Sequence, residues 1–330
     1  MAKYIINDST LTGIADAIRE KTESTEEILV SEMGGLIRSI TTGAELTIIV
    51  SVDSGATVMA TKGDLSVSAV SNGTATLKVP EGGTWTVTAT LDGKTATASV
   101  ELKTSPTAAV SFFEPDATFA NNSWSDIIKA CQMGKVPDTW AVGNSKTMTI
   151  NGADYVIDII GKNHDEYSDG SGYAPLTFQM HDCYGTKYQM NSTNTNAGGW
   201  TSCAMRTTHL PAILSLMPSE VQVGIKEVNK LTSAGNRVAT IKTTADKLFL
   251  LSEFEVFGTV TKSVSGEGSQ YAYYYAGNNK KKNFGASAVM WCERSPQGGN
   301  AAFFCAVNSA AVADSYDANY SYGVAFAFCF

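Results

Sequence analysis

The sequence has few of the residues that most often carry catalysis or bind metals. It contains three histidines and six cysteines, and all six cysteines follow residue 130 with no CxxC spacing. No apolar run approaches the roughly 20 residues that cross a bilayer as a helix. These absences argue against a common type of zinc site and against a membrane-spanning helix. We therefore expect no metal, no cofactor and no insertion into a membrane.

Basic residues are also too few for a phosphate-binding surface. The chain has 24 lysines and arginines against 32 aspartates and glutamates, which gives a net charge of −8. Non-specific affinity for nucleic acids depends on Lys and Arg neutralising phosphates, so we expect no nucleic-acid partner. The one basic run, Lys280–Lys282, is interpreted as a solvated loop.

No spacing of reactive residues points to catalysis. The HDC sequence at 181–183 places a histidine near a cysteine, but catalysis also needs a third group that orients the base in space. Asp165 and its acidic neighbours lie in a Gly- and Ser-rich stretch, which is typical of a solvated loop. We predict no catalytic residues and no enzyme activity. The cysteines are interpreted as buried and reduced, with one bridge, Cys292–Cys305, as the alternative.

Residues 1–43 are predicted to form a helical attachment and oligomerisation segment. Apolar residues recur at helical spacing over 9–20, and a second helix is predicted behind the capping pattern of Ser24 and Glu27. A generic helical hairpin packed on its own chain is the alternative. The N-terminal sequence turns polar and charged within a few residues and has no continuous apolar core for a secretory signal, so we expect the chain to be made in the cytoplasm.

The hydrophobic period changes to two over residues 44–104. Short runs rich in Val and Thr alternate with Asn-Gly, Asp-Gly and Gly-Gly turn signals, which predicts a small β-sandwich with Trp85 as a core anchor. This spacer domain has no histidine and no cysteine. Residues 103–106 are interpreted as a linker to a third domain, 105–330.

The third domain mixes helical and extended patterns. We predict a helix over 122–134, a hairpin turning at Asn151–Gly152, helical structure around 212–217 and extended structure over 247–258. The chain closes on a strand in which Phe326, Phe328 and Phe330 alternate with small residues. Three such side chains left in water forfeit roughly 1.5–3 kcal/mol each, so this strand is predicted to lie in the core.

The stretch from residue 300 to 322 has the composition of a binding surface. It mixes Tyr, which gives a large contact area at low entropic cost, with Asn, Asp and Ser, which hydrogen-bond adaptably. The predicted ligand-binding residues are Asn300, Phe303, Asn308, Asp314, Tyr316, Asp317, Asn319, Tyr320 and Tyr322. The alternative is that these are ordinary loop and edge-strand residues. A second aromatic cluster, at 271–275, is predicted either to line the same surface or to pack at a subunit interface.

Several of these segments resemble proteins of bacteriophage tails. IADAIREKT and MGGLIRSI, within residues 1–43, resemble the N-terminal segment of tail-tip and tail-fibre proteins of phages of Gram-positive hosts. The sandwich resembles immunoglobulin-like spacer modules. LPAILSLMPSEVQ, TADKLFLLSEFEVFG, WCERSP and GVAFAFCF resemble a C-type-lectin-fold domain, and the closing portion is similar to the variable proteins of diversity-generating retroelements of the phage tropism-determinant type.

The resemblance implies a multidomain α+β protein that displays a binding surface and carries out no chemistry. It implies a homotrimer in a virion tail tip or fibre, assembled in the bacterial cytoplasm. The partners are then a host-cell surface receptor, glycan or protein, and other tail or baseplate proteins that bind the N-terminal segment. The sequence lacks the Glu-Pro-Asn, Gln-Pro-Asp and Trp-Asn-Asp triplets of calcium-dependent lectins. The alternatives are a structural baseplate or tail protein and a bacterial surface adhesin.

Overall fold

A computed structural model describes residues 8–22, 28–30, 46–102 and 107–330. The chain divides into two compact units, Met1–Phe113 and Glu114–Phe330. Most of the second predicted helix and the predicted linker at 103–106 lie outside the described residues. Within the described ranges, no helix combines the length and the apolar character needed to cross a bilayer.

The first unit begins with helix α1, Asp8–Thr22. Ala15 and Ile18 are buried, and Leu11, Ile14 and Ile28 pack against them. Leu11, Ile14, Ala15 and Ile18 lie on one side of α1 because positions three and four apart share a helix face. The predicted apolar stripe is therefore confirmed, while the attachment role of the segment stays a prediction.

In the described part of this unit, seven strands follow in two sheets that share one core. Their bounds are β1 Thr47–Ser51, β2 Thr57–Lys62, β3 Leu65–Val70, β4 Thr74–Lys78, β5 Gly83–Leu91, β6 Lys94–Leu102 and β7 Thr107–Ser111. One sheet has the order β4-β1-β7 and the other β3-β2-β5-β6. The Trp85 side chain is fully buried between them, and its indole nitrogen donates to the Glu81 carbonyl at 3.1 Å. The predicted core anchor is confirmed.

Strand β7 places the boundary between the units later in the chain than the sequence predicts. It pairs in parallel with β1, from Thr107 opposite Thr47 to Ser111 opposite Ser51. Ala108 and Val110 pack against the core of this unit, so the strand completes the first sheet. The predicted third domain, 105–330, therefore begins later, at Glu114.

The second unit is a β-rich mixture of short helices and small sheets. Its helices are α2 Trp124–Gln132, α3 Gly199–Ser202, α4 Leu210–Leu214, α5 Ser219–Gly224, α6 Glu253–Phe257 and α7 Ala272–Tyr275, with a 3-10 turn at Phe119–Asn121 and a π-helical turn at Met205–His209. Its strands are β8 Ser145–Ile150, β9 Ala153–Gly161, β10 Thr177–Met180, β11 Val228–Gly235, β12 Val238–Asp246, β13 Lys282–Phe284, β14 Ser287–Val289, β15 Trp291–Pro296, β16 Phe303–Val307, β17 Ala313–Asp317 and β18 Ala327–Cys329. The larger sheets have the orders β18-β10-β9-β8 and β15-β16-β17.

Local sequence patterns predicted two of these elements correctly, helix α2 and the hairpin of β8 and β9. Ser123 caps α2 through a reciprocal pair of bonds with Asp126, which satisfies amide groups that the first turn leaves free. The hairpin of β8 and β9 turns at Asn151 and Gly152, whose φ angles of 49° and 78° are those that Asn-Gly favours. Helix α6 contradicts the prediction of extended structure over 247–258. It forms because Ser252 and Glu255 make the same reciprocal cap as at α2.

The closing strand lies in the core, as predicted. β18 pairs antiparallel with β10, with Phe328 opposite Phe178. The Phe178 ring lies 5.3 Å from the rings of both Phe328 and Phe330, and the Trp124 ring lies 6.1 Å from Phe330. Residues on both faces of the strand are buried, so it is a central element of this core.

Candidate binding surface at residues 300 to 322

The hairpin of β16 and β17 carries most of the predicted binding residues. Phe304 stands opposite Tyr316, and Phe303 stands opposite Asp317. Opposite residues of an antiparallel pair share a face, so the first pair points one way and the second pair the other way. Among the described strands β17 pairs with β16 alone, which makes it an edge strand. The face that carries Phe304 and Tyr316 is the core face. Cys305 on the opposite face is buried as well, so contact is available mainly at the outer edge of β17.

Tyr316 lies on the core face, and its predicted place on the binding surface is wrong. Its side chain is 3% exposed, and burial raises the pKa of its phenol well above the usual value. The ring meets that of Tyr322 edge to face at 4.6 Å. Tyr322 is in turn held by two backbone bonds with Tyr188, at 3.1 and 3.2 Å. Both tyrosines therefore support the hairpin, and neither projects from it freely.

Asn308 shapes the turn between the two strands. Its side-chain oxygen accepts from the amides of Ala310 and Val312 at 3.0 and 3.1 Å, and its amide group donates to Asp314 at 3.3 Å. Asparagine suits such a turn because its short side chain imitates a backbone bond. Ala311 closes the turn at φ 67°, a left-handed conformation that is unusual for alanine. Asn308 thus positions its exposed neighbours.

The loop at 190–199 holds the start of the stretch through a buried asparagine. The Asn196 side chain donates to the carbonyls of Asn300 and Phe303 at 2.8 and 2.7 Å, and it accepts from the Asn236 amide at 2.7 Å. Asn196 is fully buried. The sequence gives no signal for this role, because no local pattern reveals partners about a hundred residues away.

Two more asparagines of the same loop hold the end of β17. Asn194 donates to the Asp317 carboxylate at 2.5 Å and accepts from the Ala318 amide at 3.1 Å. The Asn191 amide donates to the Ala318 carbonyl at 2.9 Å. We call these three residues, Asn191, Asn194 and Asn196, the asparagine clasp. Because the clasp engages backbone at both ends of the hairpin, it fixes the hairpin independently of most side chains there.

The residues that remain exposed form a smaller set than the predicted one. Tyr320 is 60% exposed and Val312 is 56% exposed, and both are large side chains in water. Together with their exposed neighbours they form the display surface, which consists of Ser309, Ala310, Val312, Asn319, Tyr320 and Ser321. Of the predicted residues, Asn319 and Tyr320 belong to it. The half-buried members of the prediction are Asn300, Phe303, Asn308, Asp314, Asp317 and Tyr322.

A buried ion network lies behind the hairpin and begins in the WCERSP segment. The Arg294 guanidinium is fully buried and bonds both oxygens of the Glu255 carboxylate. Lys230 continues the network, with its ammonium 2.8 Å from Glu255 and 2.7 Å from Asp165. Such pairs are stabilising only where every partner is present, since a lone buried charge is very costly. The network ties β15, β11, α6 and the loop at Asp165 into one rigid body.

Asp165 belongs to this network, and its predicted place in a solvated loop is wrong. Its carboxylate accepts bonds from Thr177 at 2.6 Å and from the Tyr271 hydroxyl at 2.9 Å. Burial alone raises the pKa of Asp165, but the neighbouring Lys230 and the hydrogen bonds keep the pKa below its usual value. The aromatic cluster at 271–275 is correspondingly helical and mostly buried, and Tyr275 alone of its tyrosines projects into water.

All six cysteines are buried and free, which confirms the main prediction and overturns the bridge. Cys292 stands opposite Ala306 in the β15–β16 ladder, so Cys305, one position along, faces the other side of the sheet. Burial raises the pKa of the Cys292 thiol to about 12. In the described part of the chain, no group of His, Cys, Asp and Glu residues is arranged to hold a metal ion.

Comparisons with known proteins connect this surface to one family model. Residues 176–330 are similar to a domain of unknown function (DUF6273). The matched span begins beside β10 and contains the asparagine clasp, the display surface and, apart from Asp165, the buried ion network. A search of curated proteins finds none that matches the chain.

Proposed function

We propose that this protein is the receptor-binding protein of a phage or a tail-like particle. It adsorbs to a ligand on the host-cell surface through the display surface, and it does so without chemistry. The sandwich then serves as an immunoglobulin-like spacer and the second unit as a C-type-lectin-like domain. The N-terminal helix attaches the protein to other tail proteins. The sequence resemblances described above support these assignments.

One structural observation carries the proposal, namely exposed contact residues held on a rigid support. Tyr320 leaves more than half of its surface in water, so burial in the core does not account for an aromatic side chain at this position. Asn319 beside it is exposed as well. Tyrosine and asparagine of this kind contribute strongly to binding when their backbone is held in place, because little ordering is then needed. The asparagine clasp supplies that hold.

Several copies of the protein on one particle would bind a host cell more tightly than a single copy. A single patch of this size binds weakly, since two small exposed ends bury little area. When copies are linked, the second contact forms at a high effective concentration, and the combined affinity rises by about 10²–10⁴. We therefore propose a homotrimer whose adsorption depends steeply on the affinity of each copy.

The proposal is tested by removing the display side chains together. Asn319→Ala with Tyr320→Ala, in the fluorescently labelled full chain, should lower binding to a responsive Gram-positive strain by at least about tenfold, the usual cost of losing a central tyrosine. The melting temperature should stay within about 1 °C, because both residues are exposed. The matched control is Tyr275→Ala, since Tyr275 is 83% exposed but belongs to α7.

Two outcomes would contradict the proposal. The first is strain-specific binding that the double variant leaves unchanged. The second is the absence of binding to any strain while the chain assembles into tail particles, which would favour the structural baseplate or tail protein.

A further inference from the structure

A second concave site lies in the second unit, away from the hairpin. It is a cleft of about 470 Å³ formed by the start of β9, the loop after β10 and the β13–β14 turn. We call it the acidic cleft. Its walls include Asp154, Tyr155, His181, Asp182 and Phe284. A cleft of this volume accommodates one small ring-shaped ligand.

The polar groups of the cleft point to a ligand that donates hydrogen bonds. Asp182 uses one carboxylate oxygen to accept from the Asn283 amide at 2.7 Å, and Asp154 uses one to accept from the Thr149 hydroxyl at 2.5 Å. Asp154 is exposed and Asp182 is half-buried. Carboxylates accept short, strong bonds from hydroxyl groups, and two of them on one cleft disfavour an anion.

A histidine adds a third polar group in a fixed orientation. The Nδ1 atom of His181 lies 2.8 Å from the buried Asp158 carboxylate, and the His181 side chain is 53% exposed. Because Asp158 engages Nδ1, the other ring nitrogen, Nε2, is the one turned away from that bond. The backbone of His181 is also held, since the buried Lys282 ammonium donates to its carbonyl at 3.0 Å.

Two aromatic rings give the cleft its apolar walls. The Tyr155 ring stacks on that of Tyr184 at 5.4 Å, and its hydroxyl accepts from the Gly185 amide at 3.2 Å. The ring of Phe284 has the Lys187 ammonium 4.8 Å from its centre. Each ring thus has a neighbour at its face and also lines the cleft, and an aromatic ring in a cleft wall suits the flat C–H face of a pyranose ring.

Covalent chemistry does not fit the cleft, although a histidine, an aspartate and a cysteine occur together. Burial raises the pKa of the Cys183 thiol to about 11, the opposite of what an activated nucleophile needs. Its sulfur packs against Gly323, where an added Cβ atom would approach it to 2.5 Å. Cys183 therefore belongs to the packing behind the cleft.

We propose that the acidic cleft binds one neutral saccharide unit. The aromatic rings stack on the sugar, Asp154 and Asp182 accept bonds from its hydroxyls, and His181 makes a further bond through Nε2. This site is separate from the display surface and does not rest on the proposed function. It assigns a ligand class to residues that the adsorption proposal leaves unused.

The test uses the full chain and simple methyl glycosides of glucose, galactose and N-acetylglucosamine. Saturation-transfer NMR should detect at least one of them with a dissociation constant on the order of 1 mM, as expected for a single sugar in a small site. Asp154→Asn and His181→Ala should each weaken that binding by about tenfold, because each removes a bond that involves a charged or strongly polar partner. Mannitol, a polyol without a ring, should not bind.

Controls separate this site from the display surface and from misfolding. His209→Ala replaces a histidine of the same unit that lies outside the cleft and stacks on Tyr188, and it should leave glycoside binding unchanged. Tyr320→Ala should also leave glycoside binding unchanged. Because Asp154 is exposed, Asp154→Asn should still fold, and the test therefore stays informative if His181→Ala unfolds. Absence of binding by all three glycosides, or equal binding by Asp154→Asn and the unmodified chain, would overturn the proposal.

Discussion

Replacing Asn196 with alanine tests whether the asparagine clasp holds the display hairpin. The change removes two donated bonds, to the carbonyls of Asn300 and Phe303, and one accepted bond, from the Asn236 amide. All three partners are backbone groups, and the Asn196 side chain is fully buried. The variant leaves these groups without their partner while the surrounding packing stays otherwise intact.

The expected cost follows from these three bonds. At a net value of about 1 kcal/mol each, the second unit should lose about 3 kcal/mol of unfolding free energy. For a unit of this size that corresponds to a melting temperature lower by roughly 6–12 °C. Tryptophan fluorescence reports on the second unit, because of the five tryptophans Trp85 alone lies in the first unit.

Asn194→Ala provides the matched control for this prediction. Asn194 belongs to the same loop and bonds Asp317 and Ala318, but its side chain is exposed. Its loss should cost less than about 1 kcal/mol, since water replaces an exposed bond. If Asn194→Ala and Asn196→Ala destabilised the unit equally, or if neither did, the clasp would not be what holds the hairpin.

Two further predictions concern the charges buried behind the hairpin. Glu293 is fully buried, neither of its carboxylate oxygens has a hydrogen-bond partner among the described residues, and burial with nearby Glu253 and Glu267 raises its pKa well above 4.5. Because the pKa of Glu293 is higher in the folded state than in the unfolded state, this residue contributes stability below about pH 4.5. That contribution is lost as the pH rises through the folded-state pKa. Glu293→Gln should therefore flatten the decline of melting temperature with rising pH, and parallel curves for both proteins would contradict this. Arg294→Met removes the bidentate partner of Glu255 and should lower the free energy of unfolding, measured in urea, by about 3–5 kcal/mol. Adding Glu255→Gln to the same chain should restore part of that stability, because it removes the charge that has lost its bidentate partner. If the second substitution restored none, the pairing would be refuted.

Local patterns predicted the parts of the fold that depend on near neighbours. The alternation of the strands in residues 46–102, the helix within 122–134 and the burial of the closing strand follow from spacing alone, and the structure confirms them. Helix α6 was also within reach, because Ser252 and Glu255 carry the same capping pattern that was recognised at Ser24 and Glu27.

Long-range contacts explain what the sequence did not reveal. Tyr316 and Tyr320 belong to one stretch of similar composition, yet the first is in the core and the second in water. Tyr316 lies within β17 opposite Phe304, whereas Tyr320 lies in the turn after the strand has ended at Asp317. The register and the end of β17 depend on its pairing with β16, which local composition does not specify. Asp165 likewise meets Lys230 across 65 residues, a pairing that no local pattern specifies.

The shape of the display surface limits what kind of ligand can use all of it. Val312 and Tyr320 lie beyond opposite ends of β17, a strand of five residues. At about 3.3 Å per residue, the two exposed ends are separated by on the order of 15 Å. One sugar ring spans only a third of that distance, so a ligand that contacts both ends must be an oligosaccharide or a protein surface. A single ring would instead suit the acidic cleft, which is why the glycoside test and the adsorption test probe different sites.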